Sequence, residues 1–298
     1  MDKDIANRNL GMKAHKCRLC GASGLFQSYL VKEMMIGTGD EFEYFVCADC
    51  GSIQIAEIPD NLGAYYGEKY YSYLFHTDNQ EAFDTEIDER RKILDVGCGS
   101  GSWLFEMAKQ GCGNLYGCDP FIDDDIAYGD RVHIKKCDIT EMEGDNSFSL
   151  IRMGDSLEHV INPIEVLNNA RRLLETEGEL WIRIPIFPNF VFDMFGTFWY
   201  QLDAPRHILI PSVKAIKYLA DNCGFQFLNI RYRTVSGAVV RSFLYQHGYW
   251  FYEHTPEVRK KYFPDEIIPK VDDICEKEDR NGYGDHVDVW MMKRHVIV

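Results

Sequence analysis

A chain of 298 residues with 47 Asp and Glu against 32 Lys and Arg, a net charge of −15, is long enough to bury a sizeable core and repels polyanions at long range. Nonspecific attachment to DNA, RNA or an anionic membrane is thereby excluded, so neither a nucleic-acid nor a membrane partner is expected. Hydrophobic content of 46% places the chain among folded globular proteins.

The N-terminal run MDKDIANRNLGMKAHKC has no apolar signal-like core, and no apolar run approaches the ~20 residues of a membrane helix. A cytoplasmic protein is expected. Residues 1–55 then read as a metal-binding ribbon. Cys17 and Cys20 precede Gly21, and Cys47 and Cys50 precede Gly51, giving two C-x-x-C-G turns. Four thiolates fill a tetrahedral Zn²⁺ and leave no open position, so the metal is expected to be structural. Phe42, Tyr44 and Val46 alternate with polar residues, as in a strand entering the second turn. The six other cysteines lie in mostly apolar surroundings and read as small buried hydrophobes. Residues 56–91 form a connector rich in tyrosine (Tyr65, Tyr66, Tyr70, Tyr71, Tyr73), readable as aromatic packing or as a lid.

Residues 92–298 read as a wound α/β domain. Ile93, Leu94 and Val96 make a short buried strand, followed by Gly97, Gly99 and Gly101 and a helix over 102–109. Closely spaced glycines after a parallel strand let the backbone turn sharply beside a ligand. A dinucleotide turn would need its third glycine where Ser102 stands. The strand over 115–118 ends at Asp119, placed to bond ribose hydroxyls, and Phe121 behind it suits stacking on an adenine. The strand over 132–137 ends in Asp138 and Ile139. The strand over 148–153 opens into Gly154, Asp155, Glu158 and His159; Asn162 then caps a helix with Pro163 at its first position and Gly178 just past its end. There follow a strand over 179–185, an aromatic loop over 187–203, Arg206 and His207, a helix over 211–223 and a strand over 225–232. Residues 237–284 read as a mostly helical insertion, and 286–292 as a last strand at or near the sheet edge. Strands alternating with helices indicate a doubly wound, Rossmann-like parallel sheet.

The run DVGCGSG over 95–101, the acids at 119 and 138, and LEHV followed by Asn162 and Pro163 resemble the class I S-adenosylmethionine (SAM)-dependent methyltransferases from about Ile93 to Tyr232. That resemblance implies SAM as cofactor. Gly97, Gly99 and Gly101 would pass its methionine portion, Asp119 the ribose, and Asp138 with Ile139 the adenine, while Asp95 and Gly154 complete the cofactor set. The paired cysteine turns and tyrosine-rich connector are similar to the zinc-binding segment of sugar methyltransferases, such as the deoxysugar C-methyltransferases. Those proteins continue into a further large C-terminal domain, so the expectation here is O-methylation of a sugar, nucleotide sugar or glycan. C- or N-methylation of a nucleotide-linked deoxysugar is the alternative, and a small-molecule or glycan acceptor is the expected partner.

A hydroxyl acceptor needs a general base or a metal that lowers its pKa. His159 and His207 both follow strand ends and are candidate bases. Asp155, Glu158 and His159 resemble the E-x-x-E-H ligands of metal-dependent O-methyltransferases, which would bring Mg²⁺ to the active site with His207 as a further ligand. A third reading leaves both histidines structural. Arg206, Arg231, Arg233 and Arg241 are candidates for holding a diphosphate. Two rival classes stay open: an NAD-dependent oxidoreductase and a non-catalytic zinc-ribbon adaptor.

Overall fold

The computed structural model describes residues 8–66 and 91–294, so Tyr70, Tyr71 and Tyr73 of the connector lie outside the described residues. Two compact units emerge. One gathers the chain up to Tyr65, Ile184–Ile216 and Arg231–Asp288; the other gathers Tyr66–Arg183, Lys217–Ile230 and the chain from Val289.

The first unit is built on an antiparallel sheet. β1 (Asn9–Lys16), β2 (Ser23–Lys32), β3 (Glu41–Val46) and β4 (Ile53–Ile55) pair in sequence order, and the short β11 (Leu209–Ile210) adds to β4. The two cysteine turns are the β1–β2 and β3–β4 connections. The expectation of one strand entering the second turn thus grows into a five-stranded sheet; β1 alternates exposed and half-buried residues but buries none fully. Its core joins Tyr44, Ile53 and Ile55 to Phe187, Phe190, Phe195 and Trp199 from the aromatic loop, and to Val271 and Cys275. The aromatic loop carries a short helix, α3 (Phe190–Phe195), capped by Asn189, whose side chain accepts from the Phe192 amide at 2.8 Å.

The second unit is the wound sheet. β5 (Ile93–Val96) lies parallel to β6 (Leu115–Cys118) on one side and to β9 (Phe148–Gly154) on the other; β8 (Val132–Lys135) follows β6, and β10 (Leu174–Pro185) follows β9. The full order is β12-β13-β10-β9-β5-β6-β8-β7, with β12 (Phe225–Tyr232) and β13 (His286–Lys293) at one end. The opposite edge is β7 (Ile126–Tyr128), antiparallel to β8 and absent from the sequence expectation. The chain runs outward from β5 through β6 to β8 and then returns to the other side of β5 as β9. That reversal makes the carboxyl end of β5 a topological switch point, where open α/β sheets bind ligands. The doubly wound α/β architecture is therefore observed, with β13 one strand in from the edge.

α1 (Ser102–Lys109) buries Leu104, Phe105 and Ala108 against Ile93, Leu115, Val132 and Ile134. α2 (Pro163–Leu173) starts as expected, with Asn162 accepting from the Glu165 amide and Pro163 in the first turn. Its end differs from the expectation. The helix stops at Leu173, β10 begins at Leu174, and Gly178 lies inside that strand, within the register shift between Leu174 and Glu179, with Glu177 in the left-handed region at φ 63°. α4 (Val213–Asn222), α5 (Ser236–Gln246), α6 (Pro256–Tyr262) and α7 (Ile268–Arg280) supply the remaining helices. No helix among the described residues is long and apolar enough to cross a membrane.

Candidate functional site

The wound sheet places Gly97, Gly99 and Gly101 at its switch point, all at positive φ (71°, 54° and 83°). These angles favour glycine, and space demands it as well: a Cβ on Gly101 would run into the Ile134 side chain, and one on Gly97 into Ser156. The Ser156 hydroxyl donates to the Val96 carbonyl at 2.9 Å, tying the loop after β9 to the end of β5. Asp119, at the tip of β6, accepts from the Gly99 amide at 2.9 Å through one carboxylate oxygen and from the Phe121 amide at 2.9 Å through the other. Each oxygen keeps a further lone pair, so the carboxylate can still accept from two vicinal hydroxyls. Burial raises the pKa of Asp119, and the two amide bonds oppose that rise.

Phe121 is 63% exposed beside this carboxylate, and Tyr66 stacks on it with ring centroids 5.7 Å apart and planes 7° from parallel. A large aromatic ring left in water next to a buried acid and a glycine turn suits a nucleoside, so these groups fit the SAM implied by the sequence. Asp138 and Ile139 lie past the tip of β8. Ile139 is buried, and Asp138 caps a short turn by accepting from the Thr140 amide at 2.9 Å, while Glu141 bonds back to the Asp138 amide.

Asp95 stands apart from the rest of the expected cofactor set. It is buried within β5, and both its oxygens accept from Nη1 of Arg152 at 2.8 Å. Burial raises its pKa, and Arg152 opposes the rise. The Arg152 guanidinium also faces the rings of Trp103 and Trp181, 4.6 and 5.4 Å from their centroids. A Cβ on Gly154 would run into this guanidinium, which explains the glycine there. Sequence reasoning missed Arg152. The available signal was one arginine within an otherwise apolar strand.

After β9 the chain makes a left-handed residue at Asp155 (φ 54°), whose amide donates to the Arg183 carbonyl at 2.9 Å. Asp155 is exposed, Glu158 is buried, and His159 is half-buried. Among the described residues Asp155, exposed at its left-handed turn, is not grouped with Glu158 and His159, which do offer clustered ligand atoms; the E-x-x-E-H set is therefore incomplete at its first position. His159 Nδ1 lies 3.0 Å from the Tyr66 hydroxyl.

His207 belongs to the other unit, where its loop is firmly tied. Its Nδ1–H donates to the Gln201 carbonyl at 2.7 Å, and its own carbonyl accepts from the Tyr44 hydroxyl at 2.8 Å. Arg206, expected among the diphosphate ligands, is fully buried instead. It donates to Asp203 at 2.6 and 2.9 Å, to Glu33 at 3.0 Å and to the Tyr65 carbonyl at 3.0 Å. Its charge is spent on the fold.

In the same unit the four cysteine sulfurs of Cys17, Cys20, Cys47 and Cys50 lie within 4.8 Å of one another. The Cys17–Cys50 and Cys20–Cys47 separations are 3.6 and 3.7 Å. Tetrahedral zinc with bonds of about 2.3 Å requires sulfurs about 3.8 Å apart, so the set fits. The Gln54 side-chain amide donates to Cys17 Sγ at 3.1 Å, and the Ser52 hydroxyl lies 3.1 Å from Cys50 Sγ. Such outer contacts orient thiolates. The contact between Cys17 and Cys50 pushes the first thiol down to about 4 and the second up.

A family model described as a methyltransferase domain matches residues 66–230. The chain is similar to curated proteins named tRNA U34 carboxymethyltransferase. That of Aeromonas hydrophila subsp. hydrophila is 29% identical over 150 residues, covering 47% of this chain and 46% of the relative. That of Aeromonas salmonicida is 30% identical over 156 residues, with the same coverage. The chain thus spans about half the length of the curated relatives it matches. Among solved structures, the 1,6-didemethyltoxoflavin-N1-methyltransferase of Burkholderia thailandensis, with bound S-adenosylhomocysteine, is similar at 14% identity and TM-score 0.42, over 70% of this chain and 72% of that one.

These findings correct two expectations. The relatives' names point away from O-methylation of a sugar, nucleotide sugar or glycan, and from the deoxysugar alternative, toward a tRNA modification. They also overturn the expectation of no nucleic-acid partner. The physical reason is that a net charge sums the whole surface and sets only the far field, whereas acceptor recognition depends on local groups. The family match likewise sets aside the NAD-dependent oxidoreductase.

Proposed function

From the premise that this chain belongs to the methyltransferase domain family, and so is a SAM-dependent methyltransferase, we propose that it modifies tRNA. The observation carrying the donor half is Asp119, held by the Gly99 and Phe121 amides at the switch point of the sheet. The relatives' names support the acceptor half. In this reading Gly97, Gly99 and Gly101 border the methionine portion, Asp119 accepts from the ribose hydroxyls, Phe121 covers the adenine face, and Asp138 with Ile139 flanks its edge. Bound SAM supplies an activated sulfonium methyl, which lowers the demand on the protein to alignment and proton removal. His159, steered by the Tyr66 hydroxyl, takes the proton that the acceptor loses. The four cysteines hold a structural Zn²⁺ that closes the two turns of the antiparallel sheet.

The test is transfer of a radiolabelled methyl group from SAM to unfractionated tRNA, with and without ribonuclease. Label that ribonuclease releases, and that falls about a hundredfold or more in His159→Ala at unchanged S-adenosylhomocysteine affinity, is the expected result. Absence of ribonuclease-sensitive label from an enzyme that binds S-adenosylhomocysteine contradicts the acceptor assignment.

A further inference from the structure

The cysteine-bearing unit contains a cavity of about 370 Å³ far removed in sequence from the glycine turn. Its walls include Ser236, Arg241, Phe251, Tyr252, His254 and Arg259, and no carboxylate lines it. In a chain of charge −15, two guanidinium groups around an acid-free cavity are a marked local exception. Other arginines have anionic partners: Arg152 with Asp95, Arg206 with Asp203 and Glu33, Arg172 with Asp145. Among the described residues no ion pair involves Arg241 or Arg259. The Arg241 guanidinium lies against two rings, 4.8 Å from the Tyr200 ring centroid and 5.4 Å from that of Phe251. Cation–π contacts of this kind hold a guanidinium without using its N–H donors, which stay available to an acceptor.

A further feature points the same way. Ser236 and Gly237 on the wall are the first turn of α5, and Val235 at its cap has no side-chain acceptor to offer their amides. The carboxylate nearest in sequence, Glu253, is occupied by the Trp250 amide at 2.8 Å. We propose that this cavity binds a phosphate group, gripped by Arg241, Arg259 and the opening turn of α5. The group is that of a free phosphate or diphosphate, or a phosphodiester of RNA. The site goes beyond the methyl-transfer reading and does not rest on it.

Calorimetric titration of the full chain, saturated with S-adenosylhomocysteine to occupy the donor site, tests this with two probes: inorganic pyrophosphate and a short oligouridylate. Arg259→Gln is the main variant because the side chain is exposed and outside the core; Arg241→Gln, checked for folding by circular dichroism, is the second. Binding of pyrophosphate that weakens about tenfold or more in Arg259→Gln supports a site for free phosphates. The same loss seen with the oligouridylate alone supports the phosphodiester source. If neither probe binds, or if both variants bind as the unmodified chain does, the proposal is overturned.

Discussion

Each compact unit contains a buried arginine paired with a carboxylate, and these two are used differently. In the wound sheet, Arg152 on β9 reaches one strand across to Asp95 on β5, a pairing between neighbouring strands two residues ahead of the glycine turn. In the cysteine-bearing unit, Arg206 draws together Glu33, Tyr65 and Asp203, groups far apart in sequence. Glu33 in turn accepts from the amides of Met35, Ile36, Gly37 and Thr38. One arginine joins adjacent strands beside the proposed donor site, while the other secures a long-range assembly. A buried charge pair is thus informative only when its surroundings are known.

The largest effect should come from the ligands that close the antiparallel sheet. Cys47→Ser, or stripping the metal with a strong chelator, is expected to unfold the cysteine-bearing unit and lower Tm by more than about 10 °C in scanning calorimetry. An unchanged Tm would deny the metal its structural role. Next come the two arginines. Arg152→Met and Arg206→Met each strand buried carboxylates and should cost about 3–5 kcal/mol in urea unfolding. The comparison predicts that only Arg152→Met also weakens S-adenosylhomocysteine binding to the folded protein. Equal binding losses in both would erase the distinction between site and scaffold.

A smaller effect is expected at Asp119. Asp119→Asn keeps the shape but removes the charge, and S-adenosylhomocysteine affinity should fall about 10- to 100-fold by calorimetry. The same carboxylate sets a pH dependence. Burial raises its pKa, and the ionised form is the better acceptor, so affinity is full above that raised value and lost as pH falls through it. The loss should begin at a higher pH than the ordinary aspartate value of about 3.9, and should vanish in Asp119→Asn. The smallest change is Asn162→Ala, which removes the cap of α2 and should cost about 1 kcal/mol without affecting binding.

The same contrast explains what the sequence disclosed. In the wound sheet, strand, glycine turn and helix succeed one another within a few residues, so β5, α1 and the acid tips at Asp119 and Asp138 could be read from local pattern. The cap at Asn162 could be read in the same way. Gly178 misled because a glycine after an amphipathic helix resembles a cap, whereas here Leu174 already begins β10. In the cysteine-bearing unit only the C-x-x-C turns are local signals. β11 and the core partners of Tyr44 arrive from distant segments, and no periodicity announces such joins. Arg206 looked like an anion ligand because, besides Asp203 three residues before it, its partners Glu33 and Tyr65 lie far up the chain. The acceptor could not be read from net charge, since charge summed over the surface carries no local geometry.

Hydrogen exchange followed by mass spectrometry, with and without S-adenosylhomocysteine, tests the donor assignment most directly. The account predicts new protection in peptides spanning Asp95–Trp103, Asp119–Phe121 and Asp138–Thr140, with the cysteine turns unchanged. Saturating ligand that leaves all three peptides exchanging as before would contradict it.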